Sequence, residues 1–154
     1  MKKTIHIIAL LILIAGFAQS CRECAINGEL DAQWQVTHVL YADGEESTPQ
    51  ALYLSFYRHT VQFTAPPRDK YTGNMAYDEK AGTITLEMPW WPEELHAWGM
   101  DIPADPNLKP YVITLKMEDF TSSRLTLVTP QGNVISMRKS VSYTHLTLPT
   151  NRVV

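Results

Sequence analysis

The sequence predicts an all-β domain, an antiparallel up-and-down barrel of about eight strands. Three observations lead there. Apolar and polar residues alternate with period two in segment after segment, the pattern of half-buried strands. Groups of Gly, Pro, Asn, Asp and Ser separate these segments at short, regular intervals. No segment keeps a 3.6-residue period long enough for a substantial amphipathic helix. Eight strands close into a barrel whose interior is filled by side chains or just holds one small ligand.

The 154 residues leave room for one domain, and the two ends are expected to lie outside it. Lys2 and Lys3, then an apolar run from Ile5 to Ile14 and the small residues Ala15, Gly16, Ala18 and Ser20, form a signal peptide over residues 1–20. The run is too short to span a membrane. The segment Ala18-Gln19-Ser20-Cys21 resembles a bacterial lipobox, with Ala18 and Gln19 departing from the residues usual at those places. That resemblance implies lipid on Cys21, a lipidated tether over residues 21–29, and a membrane partner in the cell envelope. The outer membrane is the expected location, with its periplasmic or surface face left open. An ordinary secretory signal is the alternative. Cys21 and Cys24 also have redox Cys-x-x-Cys spacing, but no strand–helix context surrounds them, and lipidation would leave Cys24 a lone thiol. At the other end, Val141 to Thr150 can be encoded by a string resembling the transposase adapter of short-read sequencing libraries. Residues 140–154 are therefore expected to be read-through, with an edge strand as the alternative reading.

Of the 13 Lys and Arg, Lys2, Lys3 and Arg152 fall outside residues 21–139, whereas all 16 Asp and Glu fall inside, giving that region a formal charge of −6. Such a balance argues against nucleic acid as a partner, because a phosphate backbone requires a basic face.

Within residues 30–139 the elements follow in order. Leu30 to Gly44 reads as the first strand and its closing turn, with Trp34, Val36, His38 and Leu40 expected on one face and Gln33, Gln35 and Thr37 on the other. Asp43-Gly44 is a hairpin turn, and Ser47-Thr48-Pro49-Gln50 suits a single helical turn. Leu52, Leu54 and Phe56 alternate with Tyr53, Ser55 and Tyr57. Val61 and Phe63 follow with no Gly or Asn between, so these two segments read as separate strands or as one long bent strand. Pro66-Pro67 stops the run. Tyr71 to Tyr77 is the next strand, with Gly73 marking a bulge or bend. Glu79 to Gly82 turns the chain into Ile84, Leu86 and Met88. The stretch 89–106 breaks the rhythm, and Pro92 to Trp98 reads as one or two helical turns after a proline start. Tyr111 to Met117, Leu125 to Leu127 and Val134 to Lys139 complete the set, with turns at Thr121-Ser122-Ser123 and Pro130 to Asn133.

Leu30-Asp31-Ala32-Gln33-Trp34 resembles the opening of lipocalin-like domains, which carry Gly-x-Trp on the first strand, with Ala32 standing where that family has glycine. Tyr111 to Leu115, Ser123 to Leu127 and Met137-Arg138-Lys139 are also similar to small lipocalin-like lipoproteins of the Bacteroidetes. The resemblance spans about Asn27 to Lys139. It implies a lipocalin-like barrel, secretion, and a tryptophan at position 34 that plugs one barrel end as a structural residue.

Trp90, Trp91 and Trp98 lie together in one non-strand stretch and are candidate ligand-binding residues, offering aromatic surface over a barrel mouth to an apolar or sugar-like molecule. A permanently packed lid, or an interfacial anchor beside the lipid, would use the same residues. His38, on the apolar parity of the first strand, is a hydrogen-bonded core histidine or a ligand contact. His59 and His96 sit in other elements, and no His or Cys pair has zinc spacing. No nucleophile with a nearby base and no phosphate-cradling loop is present in the sequence, so neither catalytic residues nor a cofactor is expected. The expectation is thus a non-enzymatic, lipid-anchored module whose barrel binds a small apolar ligand. The alternative is an interaction or structural lipoprotein with a side-chain-filled barrel.

Overall fold

The computed structural model describes residues 26–67, 69–103, 105 and 107–141. Cys21, Cys24, the signal peptide and nearly all of the 140–154 segment lie outside the described residues. Among the described residues nine strands form one antiparallel sheet: β1 (Gln33–Leu40), β2 (Glu46–Ser47), β3 (Tyr53–Tyr57), β4 (Thr60–Ala65), β5 (Asp69–Asp78), β6 (Thr83–Met88), β7 (Tyr111–Phe120), β8 (Arg124–Val128) and β9 (Val134–Lys139). Strands β3 to β9 pair in sequence order, and β9 returns to pair with β1 from Trp34↔Lys139 to Leu40↔Val134. The sheet is therefore a closed eight-strand barrel, the expected lipocalin-like architecture. The two-residue β2 is an extra piece paired to the upper end of β1. It takes the place of the helical turn expected around Ser47 to Gln50.

Alternation builds the core. Leu54 and Phe56 on β3, Val61 and Phe63 on β4, and Ile84, Leu86 and Met88 on β6 all point inward, with at most 1% of their surface exposed. Intervening Ser55, Gln62 and Thr85 sit on the wall's outer face. Burial of this apolar face is the main source of barrel stability, at about 25 cal/mol per Å² removed from water.

Two bulges reset the alternation. On β1 the pairing to β9 shifts between Val36↔Met137 and His38↔Ser136, so Thr37 is an extra residue and its hydroxyl donates to the Ser136 carbonyl at 3.0 Å. Beyond it the parity inverts: Val39 is fully buried, while His38 and Leu40 face outward. The expectation that His38 and Leu40 continue the inward set of Trp34 and Val36 is corrected by that one inserted residue. On β7 the register to β8 shifts between Met117 and Asp119, which turns Phe120 back toward the interior against Trp34.

β3 and β4 are separate strands, joined by a two-residue turn at Arg58-His59. Arg58 holds a left-handed φ of 56° without being glycine. The turn is fastened from outside: the Arg58 N–H donates to Asp31 Oδ1 at 3.1 Å, and Asn27 Nδ2 donates to the Arg58 carbonyl at 2.7 Å. Asn27 Nδ2 also donates to Asp31 Oδ1, so the segment before β1 is tied to the bottom of the barrel.

Gly73 marks the place where β5 exchanges partners. From Asp69 to Gly73 β5 pairs with β4 alone, Asn74 pairs with both neighbours, and from Met75 to Asp78 the partner is β6. A Cβ at position 73 would stand 2.3 Å from Met88 Sδ and 2.6 Å from the Glu87 carbonyl oxygen. Because the second neighbour is backbone, relief requires moving the β6 end. Gly73→Ala is expected to destabilise the protein by about 1–3 kcal/mol, as overpacking of a filled site does, read as a lower urea midpoint at an unchanged slope.

Candidate functional site

The sequence-predicted aromatic loop closes the top of the barrel. Pro92 precedes a 3-10 turn over Glu93–Trp98, and Gly99 ends it in the left-handed conformation with φ 79°. The turn's last carbonyls are satisfied locally, with Gly99 N–H donating to His96 O and Met100 N–H to Leu95 O. A side chain at position 99 would meet Ile135 Cγ1 at 2.8 Å and Val39 Cγ1 at 2.9 Å, so glycine answers both the conformation and the close approach.

The three loop tryptophans take three different positions. Trp98 points down into the barrel, 1% exposed, with its Nε1–H donating to the Tyr53 carbonyl at 3.1 Å. Its ring meets Phe63 edge-on at 5.8 Å and Tyr71 at 6.4 Å. Leu95 and Met100 flank it, also buried. Trp91 is half-buried against Tyr111 at 6.1 Å. Trp90 is 53% exposed and lies edge-on to Tyr71 at 5.5 Å on the outside. His38 stands apart from all three on the outer wall, its Nε2 3.2 Å from Glu46 Oε2.

A polar clamp holds the lid, and its centre is a residue the sequence placed only in a turn. Asn133 is 1% exposed. Its Oδ1 accepts from the Ala42 N–H at 2.9 Å, while its Nδ2 donates to the Gly99 carbonyl at 2.9 Å and to Asp101 Oδ2 at 2.7 Å. Asp101 Oδ1 lies 2.6 Å from His96 Nδ1, which therefore carries the hydrogen. The Tyr41 ring stacks on His96 at 4.7 Å, and its hydroxyl donates to the His96 carbonyl. Three loops, 41–45, 93–101 and 129–133, are thus locked together. The Tyr41 hydroxyl is held above the usual phenol range, first by burial and then by the carboxylates of Asp101, Glu45 and Asp43.

The bottom is sealed by a second indole. Trp34 is fully buried, donates from Nε1 to the Leu30 carbonyl at 3.1 Å, and packs against Phe120 at 6.2 Å. The 3-10 turn Gly28–Leu30 drives Leu30 under it, and Leu30 is fully buried as well. Lys139 Nζ sits 5.4 Å from the Trp34 ring centre and 2.6 Å from Glu29 Oε2, a cation held over the indole by a carboxylate.

Clefts of about 500, 400, 240 and 200 Å³ open on the surface of the barrel. None is lined by Trp34, Trp98 or the inward leucines. Among the described residues no group of three or more His, Cys, Asp or Glu side chains is arranged to hold a metal ion. The interior is built from apolar side chains, with Thr129 and Asn133 as the buried polar residues at its upper rim.

A closed antiparallel barrel, stoppered at each end by an indole that donates to a backbone carbonyl, defines a small calyx-shaped protein whose inner wall carries buried apolar side chains. The chain belongs to the lipocalin-like domain family, whose sequence profile matches residues 12–133. Its fold is similar to that of a lipocalin-like protein from Bacteroides uniformis, with 21% identity and a TM-score of 0.54 over 73% of this chain and 100% of that one. It is also similar to an uncharacterized protein from Bacteroides eggerthii, with 16% identity and a TM-score of 0.52 over 71% and 98% of the two chains. No curated protein matches the chain.

Two outcomes follow from the clamp and the tyrosines. Asn133→Ala leaves the Ala42 N–H and the Gly99 carbonyl without their partner and is expected to cost about 1–3 kcal/mol, with exchange of the 93–101 amides accelerated beyond that of the β3 and β4 amides. Tyr77 is also held above the ordinary phenol range, by burial and then by Glu79. Both phenols are neutral in folded and unfolded chains at neutral pH. As pH rises through about 10, the unfolded chain ionises them first. Their contribution is therefore complete below that pH and is lost as pH climbs through their folded values. Ultraviolet titration beside the Tyr41→Phe and Tyr77→Phe variants is expected to assign each of these two phenols an ionisation above the ordinary range, with stability falling over that interval; ionisation of both near pH 10 contradicts this.

Proposed function

We propose that this protein is an exported lipoprotein, anchored through Cys21 in the outer envelope, that works as a non-enzymatic binding module through its outer surface and rims. The observation that carries this reading is Trp98. An indole with 1% exposure, hydrogen-bonded to Tyr53 and flanked by Leu95 and Met100, occupies the space an apolar ligand would take at the barrel mouth. A ligand inside would have to displace that segment and release the Asn133 clamp with it. Support for the anchor comes from the sequence before the barrel: the lipobox-like Ala18-Gln19-Ser20-Cys21 and the short tether that leads to Ile26.

Retention of an apolar cargo in the interior is the second reading, favoured by Trp90, whose half-exposed ring beside the lid offers aromatic surface at the mouth. Native mass spectrometry after exposure to envelope lipid extract separates the two. The outer-surface reading expects the bare mass to persist, and an adduct that survives delipidation, and that Trp98→Phe alters, overturns it. For the anchor, metabolic labelling with a fatty acid is expected to mark the protein and to fail with Cys21→Ser. An unlabelled chain with an intact signal peptide removes the lipoprotein assignment.

A further inference from the structure

A cleft of about 500 Å³ lies at the bottom of the barrel, at the end opposite the lid. That size falls within the range of small-molecule sites. Phe120 and Tyr77 come from the two strands that reach lowest, β7 and β5, and supply aromatic walls. Ile26 and Ala76 add apolar surface. Glu29, Glu79 and His59 stand around them.

The walls are held in shape by bonds that do not involve the exposed polar groups. Asn27 is committed to Asp31 and to the Arg58 carbonyl, which fixes one side. Phe120 rests on Trp34 and is brought inward by the β7 bulge. The Asp78 carboxylate caps the Ala81 N–H and pins the turn that carries Glu79. Glu79 itself has no hydrogen bond or ion pair among the described residues, and neither does the His59 ring. Glu79 faces the Tyr77 hydroxyl closely enough to help hold it above its ordinary range. Glu29 is already paired with Lys139 at 2.6 Å, so Glu79 is the lining carboxylate without an ion partner among the described residues, and an anion entering the cleft would meet it. A cation would meet that carboxylate beside the rings of Tyr77 and Phe120, groups of the kind that attract ammonium ions.

We propose that this crevice is a binding site for a primary organic ammonium group carried on an apolar body, with Glu79 as the pairing carboxylate and Tyr77 and Phe120 as the walls. The site deepens the outer-surface reading and rests on it. It also fits the place of the anchor. The chain leaves the cleft at Ile26, five residues after Cys21, and five residues reach at most about 17 Å. A lipid on Cys21 therefore brings the cleft to the membrane surface, where ethanolamine headgroups present the same ammonium chemistry as a soluble amine.

The experiment is a titration of the full chain, followed by isothermal calorimetry and by amide shifts in proton–nitrogen NMR. The ligands are 2-phenylethylamine, its uncharged analogue 2-phenylethanol, and nanodiscs containing either phosphatidylethanolamine or phosphatidylglycerol. The amine is expected to bind in preference to the alcohol, shifting the amides of Gly28, Ala76 and Glu79 but not those of 93–101. Glu79→Gln, an exposed turn position, is expected to weaken binding about tenfold, and Glu93→Gln at the opposite end to leave it unchanged. Preference for phosphatidylethanolamine discs identifies a headgroup as the source; binding of the free amine alone identifies a soluble one. Equal binding of amine and alcohol, insensitivity to Glu79→Gln in a variant with wild-type melting, or no binding by either ammonium source overturns the proposal. Amine-induced shifts confined to 93–101 would instead overturn the outer-surface reading, so the two failures are distinguishable.

Discussion

The hydrogen bonds that join Gln33–Leu40 to Val134–Lys139 turn an antiparallel sheet into a closed wall, and the remaining features follow from that closure. A closed wall has no long edge to protect and encloses one space whose volume is set by eight strands. Side chains can fill that space along its length, but its two ends need caps from segments outside the wall. Both caps here use the same solution: an indole buried in the core with its N–H given to a backbone carbonyl, Trp34 to Leu30 below and Trp98 to Tyr53 above. A tryptophan supplies a large apolar area, and its one polar atom must find a partner when buried. Each indole therefore fixes a loop as well as filling a hole.

The two ends are fastened differently, and this difference directs the functional reading. The upper cap is clamped by buried Asn133 and by the Tyr41–His96–Asp101 contacts, which join three loops. The lower cap is tied by Asn27 and Asp31 to a strained turn at Arg58 and by Lys139 to Glu29. On the lower flank, outside that seal, aromatic and acidic side chains of β5, β7 and the N-terminal turn line a surface cleft. The loop richest in tryptophan thus supplies the upper stopper through Trp98, and a surface recess lies at the lower end, beside the turn that precedes β1.

Much of this was legible in the residues. Period-two alternation gave the strands, Pro92 gave the start of the lid's helical turn, and the Asp43-Gly44 turn appears where φ at Gly44 is positive. The bulges were written in the sequence too, though less openly. In Val36-Thr37-His38-Val39 and in Met117-Glu118-Asp119-Phe120, two consecutive polar residues separate inward apolar ones, so the apolar spacing lengthens from two to three. Strict alternation misplaced His38 because it did not allow for that extra residue. The turn at Arg58-His59 was illegible for another reason: its conformation is imposed by Asn27 and Asp31, about thirty residues earlier. Asn133 likewise looks like any turn asparagine until loops 42, 99 and 101 converge on it. Long-range polar contacts of this kind leave no periodic trace.

The central claim is that the barrel's interior belongs to its own side chains and that the lid is part of the core. Native-state hydrogen exchange at the Trp98 indole N–H tests this most directly. If the lid is core, that proton exchanges only when the whole barrel unfolds, at the rate of the slowest β3 and β4 amides and with the same dependence on denaturant. Exchange orders of magnitude faster than those amides, and insensitive to denaturant, would mean that the lid opens by itself, and the claim of a permanently occupied interior would fail.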